Sequence, residues 1–166
     1  MERGRVLFFS APCGFGKTVT AEKLIRQTGK KYRGVSGDRV LFEQLIEDPN
    51  WEILFVDDLQ MMQEEKDLQA LCILIRENPD RRFILASRGL PPGCLMAFQY
   101  TGLMTVLHAD VLLFDREDIR KLFQEWEVPV TDSELSGVTK ESIGHTLGVV
   151  ITIRHMAEGQ TFGPEL

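Results

Sequence analysis

The chain has 166 residues, of which 43% are hydrophobic and 27% charged, and its formal net charge is −6. This composition excludes an intrinsically disordered chain, and no apolar run approaches the ~18 residues needed to cross a bilayer. The acidic balance argues against direct binding of nucleic acid, which requires a basic surface to neutralise phosphates. The cysteines at positions 13, 72 and 94 are too widely spaced for a disulfide framework or a paired metal site, which is typical of a reducing cytoplasm. Together with the short apolar runs, this leads us to expect a cytoplasmic protein without a membrane partner.

Short apolar runs alternate with helix-forming segments over the first two-thirds of the chain. Strands buried on both faces are predicted at residues 6–9, 53–56, 83–86 and 111–114, each a run of apolar residues. Helices are predicted between them at residues 18–27, 40–47 and 68–75. This alternation is typical of parallel βαβ units with right-handed crossovers. We therefore predict an α/β fold, a parallel sheet flanked by helices, over residues 1–114.

The character of the sequence changes at Asp115, where we expect a short helical appendage covering residues 115–166 to begin. Its first helix would carry Ile119, Leu122, Phe123 and Trp126 on one face. A final helix is predicted after a cap at residues 139–141, although the β-branched residues between positions 149 and 153 are also compatible with a strand.

Residues 11–18, Ala-Pro-Cys-Gly-Phe-Gly-Lys-Thr, have the spacing of a phosphate-binding P-loop with alanine in place of the first glycine. Gly14 and Gly16 allow a tight turn whose N–H groups converge on an anion, together with the positive end of the following helix. Lys17 would bring a mobile charge to the β- and γ-phosphates, and the Thr18 hydroxyl is a ligand for Mg²⁺. An ordinary glycine-rich turn is the alternative. The predicted binding residues are Pro12, Cys13, Gly14, Phe15, Gly16, Lys17, Thr18 and Val19.

Asp57 and Asp58 directly follow the predicted strand at residues 53–56, as in a Walker B motif. Asp57 is expected to hold Mg²⁺ through water, and Asp58 to orient or deprotonate the attacking water. The alternative is a pair of acids in a turn, and Gln60 is a weaker polar candidate beside them. Arg88 follows the next strand, where it would sense or stabilise the γ-phosphate unless it is a surface arginine paired with an acid.

The segments APCGFGKT, ILFVDD, FILASRGLPP and DREDIRKLF, in this order, resemble the signal-transducing STAND ATPases, and among them the large, maltose-regulator-like members of the LuxR family. The resemblance extends over residues 6–158 and is most specific in LASR followed by two prolines. It implies a P-loop NTPase-type fold that binds ATP or ADP with Mg²⁺. It also implies that Lys17 and Thr18 act in the P-loop, Asp57 and Asp58 in Walker B, and Arg88 as the sensor arginine.

The resemblance further implies a signalling switch in a multidomain transcriptional regulator, with slow Mg²⁺-dependent ATP hydrolysis and nucleotide-dependent self-association of the full-length protein. DNA would be bound only through a C-terminal module beyond this sequence, so we expect a fragment or a truncated relative. Residues 144–147 resemble the family's Gly-x-Pro segment, with Thr146 in place of the proline. Two alternatives stay open: a small P-loop kinase that phosphorylates a metabolite, and a nucleotide-binding interaction module that does not hydrolyse ATP.

Overall fold

The computed structural model describes residues 4–39, 45, 48 and 50–160. The chain forms two compact units, one of residues up to 13 together with 17–109, the other of residues 14–16 together with those from 110 onward. The helix predicted at residues 40–47 lies outside the described residues except for Leu45, which is helical and buried.

The first unit contains a parallel sheet whose described strands are ordered β2-β3-β4-β1-β5. The strands are β1 (Val6–Ser10), β2 (Tyr32–Ser36), β3 (Ile53–Asp57), β4 (Arg82–Ser87) and β5 (Met104–His108). Val6 of β1 lies opposite Phe83 of β4 on one side and Met104 of β5 on the other. The central strands β1, β3 and β4 are almost continuously buried, as parallel strands covered on both faces are.

Three helices of the first unit pack around this sheet: α1 (Lys17–Thr28), α2 (Glu65–Glu77) and α3 (Gly93–Tyr100). Helix α1 contacts β3 and β4, and α2 contacts α3. The buried Arg5 guanidinium donates to the carbonyl oxygens of Ile75 at 3.0 Å, Arg81 at 3.3 Å, and Asn78. A cation at the C-terminal end of α2 satisfies carbonyls that have no partner within the helix.

Three of the four predicted strands are confirmed, but the one at residues 111–114 is wrong. The fifth strand is Met104–His108, and Ala109–Leu112 is a 3-10 turn. The two edge strands β2 and β5 each pair with one neighbour and contain exposed residues. Their sequences are therefore less continuously apolar than those of the central strands. Strand β2 was not predicted from the sequence, because Tyr-Arg-Gly-Val-Ser lacks an apolar run.

The second unit contains the helices α4 (Arg116–Glu125), α5 (Asp132–Ser142) and α6 (Thr146–Ala157). Helix α4 follows its N-cap Asp115, where a helix start is predicted, and Asp118 completes a capping box with that residue. Thr131 and Glu134 form the same arrangement at the start of α5. The core of this unit joins all three helices and contains Ile119, Phe123, Val128, Leu135, Val138, Val149 and Ile153.

The predicted cap at residues 139–141 is wrong, since these residues lie inside α5. The Thr139 hydroxyl donates to the carbonyl of Leu135 at 2.7 Å, one turn earlier. The segment Thr146–Ala157 is a helix rather than a strand, and it begins after His145, whose Nδ1 accepts from the Gly148 N–H. Burial of Val149 and Ile153 against the other two helices outweighs the strand preference of β-branched residues.

Candidate functional site

The loop of residues 11–16 connects the end of β1 to the first residue of α1. Gly14 and Gly16 have φ angles of 85° and 70°, in the left-handed region that glycine adopts without Cβ strain. Ala11 does not have a positive φ, and its N–H donates to the Ser87 carbonyl at 3.2 Å. Because α1 begins directly after the loop, its first N–H groups have no acceptor within the helix and can be offered to an anion.

Lys17 is buried at the start of α1, and its side chain folds back onto the loop. Its Nζ donates to the carbonyl oxygens of Ala11 at 2.7 Å and Pro12 at 2.9 Å. Burial lowers the pKa of the Lys17 ammonium, and nearby acidic groups, Asp57 foremost, oppose that shift. Both hydrogen-bond partners are neutral, so an incoming phosphate oxygen would offer Lys17 a stronger, charge-assisted hydrogen bond.

The start of α1 and the end of β3 meet where the Thr18 hydroxyl donates to Oδ2 of Asp57 at 2.5 Å. Hydroxyl and carboxylate oxygens are ligands that Mg²⁺ prefers, so the pair fits this ion. Among the described residues, no group of three or more His, Cys, Asp or Glu side chains is placed to hold a metal. Magnesium here would therefore take its remaining ligands from a bound phosphate and from water, as Mg²⁺ usually does in nucleotide-binding proteins.

Asp58 lies just beyond β3 in the left-handed region, with φ 47° and ψ 46°. Such a conformation costs a non-glycine residue on the order of 1–3 kcal/mol, so the surrounding structure must hold Asp58 in it. Its Oδ1 accepts from Nε2 of Gln60 at 2.7 Å and lies 3.8 Å from Nε of Arg88. The Gln60 Oε1 in turn accepts from the backbone N–H of Arg88 at 3.0 Å. The predicted site residues at the ends of β3 and β4 are thus linked through Gln60.

The segment that carries Arg88 is anchored by two buried serines. The Ser10 hydroxyl donates to the Gly89 carbonyl at 2.9 Å, and Oγ of Ser87 accepts from the Gly89 N–H at 3.3 Å. The Arg88 side chain itself is 58% exposed, so its pairing with Asp58 is a solvent-screened contact. The arginine therefore stands at the carboxyl end of β4 with its guanidinium accessible.

Gly37, one residue after β2, contacts the backbone of Asp57 and Asp58, and no sequence motif indicates this contact. Its N–H donates to the Asp57 carbonyl at 2.8 Å. A Cβ at this position would lie 2.5 Å from the Asp58 carbonyl oxygen, so only glycine fits without displacing the backbone of Asp58. The one sequence signal is the turn-forming Ser-Gly-Asp at residues 36–38, and it gives no hint of a neighbour 20 residues away.

Within the second unit, the glycines of the loop pack against the start of α6. The Leu147 N–H donates to the Gly14 carbonyl at 3.0 Å, and the rings of Phe15 and His145 meet edge-on with centroids 4.5 Å apart. A Cβ on Gly16 would lie 2.9 Å from the Thr146 methyl group. Thr146 therefore packs closely against the loop glycine Gly16.

The other predicted binding residues lie on the surface. Pro12 and Cys13 are exposed, and Val19, in the first turn of α1, is 68% exposed. The structure records no hydrogen bond for the side chain of Cys13.

Comparison with known proteins shows the fold but no family. No protein-family model and no curated protein matches the chain. Among solved structures, the Holliday junction branch migration motor RuvB of Thermotoga maritima is similar with a TM-score of 0.70 and 18% identity, covering 94% of this chain and 54% of that one. A RuvB mutant from the same organism gives a TM-score of 0.66 and 16% identity, covering 92% of this chain and 55% of its own.

These similarities, together with the parallel sheet, show that the chain has an α/β P-loop-type fold, as predicted. The chain spans about half the length of the RuvB structures it resembles, with 54% and 55% of them covered. In the part of the chain that the structure describes, no helix is both long and apolar enough to cross a membrane.

Proposed function

We propose that the chain binds ATP with Mg²⁺ and acts as a nucleotide-dependent switch. The observation that carries this proposal is the hydrogen bond from Thr18 to Asp57, which joins the residue after Lys17 in a P-loop to the acid at the end of β3. In open parallel sheets, ligands bind beyond the carboxyl ends of the strands, where both residues lie. The similarity in fold to RuvB supports nucleotide use, and the motifs of residues 11–18 and 53–58 support it independently.

The loop and Lys17 would hold the phosphates. Backbone N–H groups of the loop and of the first turn of α1 favour a multiply charged anion. The Lys17 ammonium would exchange its carbonyl partners for phosphate oxygens, a contact that also relieves the unfavourable burial of its charge. Thr18 and Asp57 are the residues that would hold Mg²⁺, which supplies neutralisation of charge on the phosphate oxygens when bound.

Asp58 and Arg88 would act at the γ-phosphate. The Asp58 carboxylate would orient the attacking water and accept its proton, and the exposed Arg88 guanidinium would stabilise the charge on the transferred γ-phosphoryl group. Both residues follow adjacent strands, and their contacts through Gln60 support a common task.

The finer role, a switch within a LuxR-type transcriptional regulator, is supported by the resemblance of the motifs APCGFGKT, ILFVDD and FILASRGLPP to STAND ATPases. A switch requires contacts that differ between nucleotide states. Arg88 is our candidate for reading the γ-phosphate, because its backbone is anchored while its side chain is accessible.

The proposal is tested by titrating Mg·ATP into the wild type, Lys17→Ala and the control Lys23→Ala, which changes an exposed lysine of the same helix. Calorimetry is expected to detect binding in the wild type and in Lys23→Ala, and at least about a hundredfold weaker binding in Lys17→Ala, since charge-assisted hydrogen bonds of up to about 3 kcal/mol are lost. Equal affinities in the three proteins would refute the assignment. Phosphate release in the absence of any acceptor metabolite would separate a hydrolysing switch from a kinase.

A further inference from the structure

The side-chain amide of Gln60 connects two groups that the proposed function uses. Its nitrogen donates to Oδ1 of Asp58 at 2.7 Å, and its oxygen accepts from the Arg88 N–H at 3.0 Å. Glutamine is suited to this arrangement because one side chain provides both a donor and an acceptor. We propose that Gln60 is a positioning residue for ATP hydrolysis, which fixes the Asp58 carboxylate relative to Arg88; this inference rests on the proposed function.

The local backbone brings Gln60 to this position. Because Asp58 is left-handed, the chain turns sharply after β3 into the 3-10 turn Leu59–Met61. The turn is closed by the Met61 N–H, which donates to the Asp58 carbonyl at 2.8 Å, and the buried Leu59 anchors it in the core. The side chain of Gln60 is thereby returned towards the carboxylate two residues before it.

Direct pairing of Asp58 with Arg88 is too weak to hold the carboxylate by itself. The two side chains are 44% and 58% exposed, and their closest atoms are 3.8 Å apart, beyond hydrogen-bonding distance. Gln60 as a residue is half-buried, and each of its two side-chain hydrogen bonds has a normal length. The carboxylate therefore takes its orientation chiefly from Gln60 and from the constrained backbone of Asp58.

Two substitutions separate the halves of this connection. Gln60→Glu retains an acceptor for the Arg88 N–H but loses the donor to Asp58, whereas Gln60→Leu loses both. The matched control is Gln63→Glu, which introduces the same charge three residues later in the chain. Gln63 is exposed, and the structure shows no hydrogen bond of its side chain. Amide hydrogen exchange at Arg88 should accelerate in Gln60→Leu and stay near the wild-type rate in Gln60→Glu.

The functional readout is single-turnover phosphate release alongside Mg·ATP binding by calorimetry. Both Gln60 variants are expected to bind Mg·ATP within about threefold of the wild type and to hydrolyse it about 10²-fold more slowly, the usual effect of a misplaced reacting group. The control should match the wild type in both. Wild-type hydrolysis in Gln60→Glu would overturn the positioning role, and so would a wild type that binds Mg·ATP without hydrolysing it. Absence of Mg·ATP binding by the wild type would instead refute the proposed function, and the inference with it.

Discussion

Replacing Gly37 by alanine is expected to displace Asp58 and to lower both the thermal stability of the chain and its rate of ATP hydrolysis. The new Cβ would lie 2.5 Å from the Asp58 carbonyl oxygen and 3.1 Å from both the Asp58 carbonyl carbon and the Leu59 Cα. All three atoms belong to the backbone, so no side chain can rotate away. Gly37 has no positive φ, and the effect of the substitution is therefore purely steric.

The expected magnitude follows from this overlap. Real Cβ contacts are not shorter than 3.0 Å, so the two segments must separate by at least about 0.5 Å. Overpacking of this kind typically costs about 1–3 kcal/mol. For a domain of this size that corresponds to a fall in Tm of roughly 2–12 °C. A displacement of Asp58 approaching ~1 Å should also slow phosphate release by about 10²-fold.

The control for this experiment is Gly34→Ala in β2, the strand that ends just before Gly37. A Cβ at that exposed position meets only Tyr32 at 3.8 Å and Phe55 at 4.0 Å, which are ordinary contacts. Alanine in a strand is, if anything, more stable than glycine there, by roughly 0.5–1 kcal/mol. Thermal melts followed by circular dichroism, and single-turnover phosphate release, would compare the two variants with the wild type. Indistinguishable melting temperatures for Gly37→Ala and Gly34→Ala would refute the reasoning.

Two further outcomes are expected. At pH 8 a thiol reagent should modify the exposed Cys13 but not Cys72, because burial and a hydrogen bond with Cys94 raise the pKa of the Cys72 thiol to about 12. Mass spectrometry would locate the modified cysteine. Labelling of Cys72 in the folded chain would contradict this prediction. The Asp118 N–H lowers the pKa of Asp115, so the stabilisation it provides is complete above the ordinary value of 3.8 and is lost as the pH falls through the lowered one. The melting temperatures of the wild type and of Asp115→Asn, whose neutral cap does not titrate, should therefore converge only as the pH falls below about 4. A constant difference in melting temperature down to the lowest pH would contradict this role of the Asp115 carboxylate.

Much of the fold could be predicted from local patterns. The continuous apolar runs that became β1, β3 and β4 are visible because each of these strands is buried on both faces. The edge strands were missed or misplaced, since a strand that pairs on one side needs no continuous apolar run. The spacing of Thr131 and Glu134 is that of a capping box and indicates the start of helix α5, although the helix has no continuous apolar stripe.

The candidate site divides in the same way. Lys17, Thr18, Asp57 and Asp58 are recognisable as candidates because phosphate and Mg²⁺ sites typically use those residue types at fixed spacing along a strand, loop and helix. Gln60 could be noted only as a nearby polar residue. The hydrogen bonds of its side chain depend on the left-handed turn at Asp58, which no residue in the motif requires.

The sequence by itself determined the local elements of this protein: the buried central strands, the glycine-rich loop that leads into α1, and the acids that end β3. These depend on periodicity, turn chemistry and backbone freedom over a few residues. Only the tertiary structure decided that β4 lies between β1 and β3, which places Arg88 beside Asp58, and that Gly37 and Gln60 constrain that acid. Contacts between residues 20 to 30 positions apart arise from strand order and packing, and these are set by how the whole core is buried rather than by any one segment.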